Sequence, residues 1–236
     1  MYEQLLNNPE LAKLAGYITG DGHLQIKNWR YLTSFFSKDI EEVEAFESIS
    51  QNLFNITPKR YEDRRKTWKG SGLRYQCFII SKPVALFLQK YEIPVGNKTN
   101  SPFLIPSWIL NGSNEVKTAY LRALYDNEGT IFSCKERWQI VFRMAKNKIL
   151  LKEGIAFFEQ IREILKSLDI RTSPVNYGKL NIRKDGSTSM YLRITIEKPS
   201  FGNFLKHVGF DNKSKQEKLL KSLRASGQAA KIGSDF

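Results

Sequence analysis

The chain is built twice. Leu14-Ala15-Gly16-Tyr17-Ile18-Thr19-Gly20-Asp21-Gly22 lines up with Leu121-Arg122-Ala123-Leu124-Tyr125-Asp126-Asn127-Glu128-Gly129 at an offset of 107, and each stretch ends on an acid followed by glycine. Further matches follow in the same order. Ile80-Ser81-Lys82-Pro83 recurs as Ile196-Glu197-Lys198-Pro199, Phe87-Leu88 as Phe204-Leu205, and Gly96-Asn97-Lys98-Thr99 as Asp211-Asn212-Lys213-Ser214. Ordered self-similarity of this kind marks a duplicated unit of roughly 110 residues, so whatever the first half folds into, the second half repeats.

Local patterning agrees. Leu11, Leu14, Ala15 and Ile18 fall at helical spacing behind Pro9, which predicts a helix over 9–20. Strands follow at 23–27 and 31–37, joined through Asn28-Trp29-Arg30, then a helix over 39–54, strands near 57–64 and 73–80, and a helix over 82–91. The second half reads as a helix at 115–127, strands near 130–135 and 138–144, a helix at 148–168, strands near 174–183 and 190–197, and helices at 200–208 and 213–224. The expected organisation is an N-terminal half over 1–100, a linker over 101–114 that carries Pro and Gly punctuation, and a C-terminal half over 115–224. Residues 225–236 form a loose tail. Ser113 or Asn114 is placed to cap the helix after the linker.

Charge narrows the partner. The chain of 236 residues has 37 Lys and Arg against 24 Asp and Glu, a net charge of +13, with 41% hydrophobic residues to supply a core. Such an excess attracts polyanions, nucleic acid foremost. No apolar run approaches the roughly 20 residues of a membrane span, and no signal-peptide pattern opens the chain, so a soluble intracellular protein with no membrane partner is expected. Two cysteines far apart read as reduced thiols, and two histidines cannot complete a zinc site with them. A metal must therefore use oxygen ligands.

On a helix, Ala12, Gly16, Thr19 and Gly20 share one side, as do Ala119, Ala123, Asp126 and Asn127. Small residues there let two helix backbones approach. If these faces pack, Asp21 and Glu128 arrive together, and two adjacent carboxylates with no histidine suit Mg²⁺. A glycine after a helix is an ordinary stop signal. That accounts for either half, though not for the recurrence in both.

The paired motifs, with the α-β-β-α-β-β-α order and the Gly-Asn-Lys-Thr segment, resemble the LAGLIDADG homing endonucleases in their single-chain, two-motif form, over about residues 5–224. The resemblance implies an α+β fold in which two pseudo-symmetric halves form a saddle of two antiparallel sheets around the packed motif helices. It implies a monomer that cleaves both strands of a long duplex DNA target across the minor groove, leaving short 3′ overhangs, and that is intron-encoded and promotes intron mobility. Asp21 and Glu128 fall on the metal-binding carboxylates, Gly20 and Asn127 on the residues that add a backbone carbonyl, and Lys98 and Lys213 on the lysines that order the attacking water. Glu128 departs from the commoner Asp, with activity still expected. Asp126 is read as structural. Mg²⁺ is the expected cofactor, and Ca²⁺ is expected to bind without supporting cleavage.

Strand alternation supplies the DNA contacts. Lys179, Asn181 and Arg183 alternate with Leu180 and Ile182, and Tyr191, Arg193 and Thr195 with Leu192, Ile194 and Ile196; Gln25 with Lys27, Arg74 with Gln76, and Gln139 with Arg143 extend the pattern. The apolar members, Leu180 and Ile182 among them, are expected on a side buried under helices, and the long polar side chains opposite them are of the types that pair with purine edges in the major groove. Between the third and fourth strands, Lys59 to Lys69 holds six basic residues of eleven, including Arg60, Arg64, Arg65 and Lys66, and reads as a phosphate-gripping hairpin. The competing readings are an RNA maturase and a non-cleaving DNA-binding regulator on the same fold. The presence of both acids counts against the regulator. An endonuclease embedded in an intein is disfavoured because the two repeats fill the chain.

Overall fold

The computed structural model describes residues 2–64, 66–67, 70–135, 137–182 and 186–226, with backbone alone at 66–67 and 70–71. Its chain divides into two units. The first comprises residues up to 101 together with 106–120, and the second comprises 102–105 together with residues from 121 onward.

In the first unit, α1 (Pro9–Thr19) begins where a cap allows it: the Asn8 side chain accepts the Glu10 N–H at 2.8 Å, and Pro9 needs no donor at the first helical position. Strands β1 (His23–Lys27) and β2 (Arg30–Ser37) form a hairpin whose turn puts Asn28 and Trp29 at φ 51° and 63°. Two left-handed residues match the twist of a two-residue hairpin. Then come α2 (Ile40–Phe54), capped by Asp39, β3 (Lys59–Asp63), the small pair β4 (Lys66–Thr67) and β5 (Gly70–Ser71), β6 (Arg74–Ile80), and α3 (Lys82–Lys90), capped by Ser81. The sheet order is β1-β2-β6-β3, antiparallel throughout. A short α4 (Ser107–Leu110) and the first half of α5 (Asn114–Glu128) complete the unit, with Ser113 Oγ accepting from the Val116 N–H. Leu24, Phe35, Cys77 and Ile79 bury one side of the sheet, and the Tyr17, Phe35 and Phe46 rings pack 4.8 and 5.4 Å apart there.

The second unit holds the rest of α5, then β7 (Gly129–Cys134), β8 (Arg137–Asn147), α6 (Leu151–Ser167), β9 (Asn176–Tyr177), β10 (Asn181–Ile182), β11 (Thr188–Ile196), α7 (Phe201–His207) and α8 (Lys213–Ala225). Its antiparallel sheet runs β10-β11-β8-β7, with β9 also along β11. Tyr125 packs against Phe142 and Phe204 at 5.3 and 5.0 Å, the counterpart of the aromatic cluster in the first unit. The expected α+β class with two antiparallel sheets is observed. No helix among the described residues is long and apolar enough to cross a membrane.

Two expectations fail near the edge of the second sheet. The strand over 174–183 is broken into β9 and β10, which pair with β11 at only two positions each. Leu180 and Ile182, expected on the buried side, are 46% and 73% exposed. Two-residue pairings do not carry an alternation along the whole edge, so the chain there is free to turn these side chains outward. The expected helix at 148–168 opens with a single 3₁₀ turn before α6. Apart from Ala225 and Ser226, the tail lies outside the described residues.

The glycine after each acid has a steric cause. A Cβ on Gly22 would sit 2.6 Å from the Ile18 Cα and 2.8 Å from the Tyr17 carbonyl oxygen, and one on Gly129 would sit 2.8 Å from the Tyr125 Cα. Each glycine lets its first strand start against the last turn of the motif helix. Gly22→Ala and Gly129→Ala should each destabilise the protein by about 1–3 kcal/mol. Thermal unfolding checks this.

Candidate active site and nucleic-acid interface

The two acids stand at the ends of the motif helices. Asp21 lies just beyond α1 and is exposed, whereas Glu128 is the last residue of α5 and is half-buried. A helix end gathers carbonyl oxygens with no intrahelical partner and carries partial negative charge. At the first end that charge is met by Lys98, whose Nζ donates to the carbonyls of Ile18 at 2.8 Å, Gly22 at 2.6 Å and Gly20. At the second, Lys215 Nζ donates to the carbonyls of Tyr125 at 3.3 Å, Gly129 at 2.7 Å and Asp126. Ile18 and Tyr125 are repeat mates, and so are Gly22 and Gly129.

The structural mate of Lys98 is therefore Lys215, and the sequence alignment of Lys98 with Lys213 is corrected. Asn212 caps α8 by accepting the Lys215 N–H at 3.1 Å, which puts Lys213 at the first helical position, exposed, and Lys215 two residues further along. In the first half the matching segment is a series of turns with no helix, so the two lysines reach the same place from different registers. Lys215→Met strips an ammonium from three carbonyls and should destabilise by about 1–3 kcal/mol. Lys213→Met, at an exposed position, should cost less than Lys215→Met. Urea titration of the two variants separates them.

Asp126 serves the same junction from within. Its two carboxylate oxygens accept the N–H groups of Asp211 and Asn212, each at 3.1 Å, which ties the end of α5 to the segment that leads into α8. Burial raises its pKa to about 7, and nearby Asp211 adds to the rise, against the pull of the two N–H donors and Lys215. The folded-state value lies above the ordinary 3.8, so this group's contribution to stability is fully present below about pH 4 and is lost as pH rises through about 7. Asp126→Asn should flatten that slope, measured as unfolding free energy between pH 4 and 8.

Other expected site residues are placed as follows. Gly20 is buried and its carbonyl already accepts from Lys98, so an ammonium stands where a metal donor was expected. Asn127 has both amide atoms buried without a hydrogen-bond partner among the described residues. His23, absent from the sequence-derived set although it directly follows Asp21-Gly22, has its pKa lowered by burial first and then by the Lys98 ammonium. Among the described residues no three His, Cys, Asp or Glu side chains cluster to hold a metal. An ion at either acid would draw one carboxylate from that helix end and fill its shell with water and phosphate oxygens. Hard oxygen donors of that kind fit Mg²⁺.

The outward faces of the sheets carry several of the residues expected to contact DNA. On the first sheet Gln25, Leu32 and Ile80 stand side by side, as do Phe36, Gln76 and Tyr61, with Ser34, Phe78 and Lys59 between these rows. Lys27 and Arg30 form one end of this face, and Arg74 with Asp63 the other. Arg60 faces the opposite way, with its guanidinium committed to Glu47 and Glu44 on α2, so it is no part of this surface. Arg64 is exposed and pairs with Glu62 at 2.9 Å. On the second sheet Arg143 and Arg193 are directly opposed and both exposed, and the Arg143 guanidinium lies 4.9 Å over the Tyr191 ring. Like charges directly opposite one another disfavour a sheet, and an anion laid across them reverses the sign. Gln139 shares that face, while Lys179 and Asn181 are exposed at its edge. Arg65 and Arg183 lie outside the described residues, as does the Lys66 side chain.

Comparison with solved structures decides the fold. The homing endonuclease I-WcaI bound to its DNA recognition sequence superposes with a TM-score of 0.58 at 16% identity, covering 91% of this chain and 87% of that one. The N-terminal LAGLIDADG domain of WhiA gives 0.51 at 12% identity over 90% and 87%. The chain has the LAGLIDADG fold. No family model matches it. Among curated proteins the chain is 26% identical over 220 residues to a tRNA-splicing ligase RtcB of Pyrococcus furiosus, and 28% identical over 201 residues to a replication factor C small subunit of Methanocaldococcus jannaschii. It is also 28% identical over 211 residues to a glutamine–fructose-6-phosphate aminotransferase of that organism. These matches cover 88%, 84% and 89% of this chain but only 22%, 10% and 17% of those proteins. A segment similar to this chain therefore occurs within longer proteins of unlike name. The chain spans less than a quarter of the length of each of these curated relatives.

Proposed function

We propose that this chain is a site-specific, Mg²⁺-dependent endonuclease that cuts both strands of a long DNA target across the minor groove, acts as a monomer, and promotes the mobility of the sequence that encodes it. The recurrence of one device in both halves carries this reading: an acid, a sterically required glycine, and a lysine that covers the helix-end carbonyls. Asp21 and Glu128 would each hold the metal by one carboxylate, and bound Mg²⁺ lowers the pKa of water and stabilises charge on phosphoryl oxygens. Lys98 and Lys215 offset the negative helix ends, which would otherwise repel a scissile phosphate. Arg143, Arg193, Lys27, Arg30 and Lys59 attract the duplex and fix its position. Host proteins of unlike name support mobility, because a module found in all of them cannot owe its presence to any one host activity.

The test incubates the purified protein with a library of randomised duplexes in Mg²⁺ or in Ca²⁺. Cleavage confined to one long site in Mg²⁺, binding without cleavage in Ca²⁺, and a loss of cleavage of about 100-fold or more in Asp21→Asn and Glu128→Gln with binding retained are expected. Selective binding that yields no cut in any divalent metal would leave a non-cleaving DNA-binding protein and overturn the enzyme.

A further inference from the structure

The two outward faces differ in chemistry. On the first sheet the middle of the face is apolar: Leu32, Phe78 and Ile80 line an open groove of about 360 Å³, with Gln25 and Gln76 at its borders and Trp29 at its tip. Ile80 is 69% exposed, Phe36 39% and Trp29 88%. A contiguous apolar surface of this kind on a strongly basic chain calls for an occupant. Cations stand at its margins, with Lys27 and Arg30 at one end, Lys59 beside Phe78 on the edge strand, and Arg74, opposite Asp63, beyond Gln76, so a polyanionic occupant that offers apolar groups of its own fits this face. Duplex DNA meets both demands in its major groove, where the thymine C5-methyl is the apolar element of the base-edge code and adenine offers the N6/N7 pair that glutamine engages. The second sheet presents the opposed arginines Arg143 and Arg193 in the corresponding place, with Arg137 exposed further along β8. Arginine is the side chain suited to the O6/N7 acceptors of guanine.

We infer that the two halves read half-sites of unlike composition: the first sheet takes A·T pairs through thymine methyls on the Leu32–Phe78–Ile80 strip and adenine edges on Gln25 and Gln76, and the second takes guanines on Arg143 and Arg193. This rests on the endonuclease reading only in requiring that the outward faces bind duplex DNA. The two halves thus repeat one arrangement at the helix ends while their outward faces differ in chemistry, so the two half-sites differ in composition.

The test recovers bound duplexes from the randomised library in Ca²⁺ and resynthesises the selected site with deoxyuridine in place of thymidine, which removes the methyl and keeps every base-pair hydrogen bond. One A·T-rich half and one guanine-containing half are expected. Deoxyuridine in the A·T-rich half should weaken binding about fourfold for each contacted methyl, and 7-deazaguanine should weaken the other half. In Ile80→Ala the deoxyuridine penalty should shrink in that half alone, and since Ile80 is exposed the variant should fold normally. Two halves of the same composition, or unchanged affinity on removal of the methyls, would overturn the inference and leave the endonuclease reading standing. Failure of any duplex to be enriched would overturn both.

Discussion

An ammonium group placed on three carbonyl oxygens is the interaction on which the two acid-bearing ends depend. The last turn of a helix concentrates negative partial charge, and each motif helix then adds a carboxylate at the same place. A polyphosphate cannot approach such a point without compensation. Lys98 and Lys215 provide it by donating to the carbonyls of residues 18, 20 and 22 and of 125, 126 and 129. The glycines belong to the same arrangement, since only a residue without Cβ lets the following strand start close enough for its first carbonyl to join the set.

How the lysines arrive there shows what the sequence could and could not convey. The repeat of acid and glycine, the helix and strand order, and the outward alternation on β11 were legible because they depend on local periodicity and on residue types in fixed register. The identity of the second lysine was not. Asn-Lys-Thr and Asn-Lys-Ser look alike along the chain, but Asn212 starts a helix and Asn97 starts a turn, and this moves the ammonium that meets the helix-end carbonyls by two positions. Arg60 was misplaced for a related reason: it alternates correctly within β3, but the carboxylates that claim it lie on α2, 13 and 16 residues earlier. Leu180 and Ile182 were read as core because alternation implies a buried side, and two-residue pairings on β11 do not enforce one.

The likeness of the two acid-bearing helix ends, beside faces of unlike chemistry, follows from the different constraints on each. The helix end has little freedom, because a methyl on either glycine collides with backbone that cannot yield. Outward side chains such as Ile80, Arg143 and Arg193 are exposed, so aliphatic groups in one half and arginines in the other are held there at little cost to stability. The opposed pair Arg143 and Arg193 is the clearest instance, since it carries an electrostatic penalty in the isolated chain that a bound anion removes.

The most direct test of this account is a crystal structure of the protein with its selected duplex in Ca²⁺. Bases lying against the Gln25–Ile80 face and against Arg143 and Arg193, with the backbone phosphates of the two strands brought to Asp21 and Glu128, are the predicted result. A duplex resting on α2 and α6, with both sheet faces left to solvent, would contradict the account.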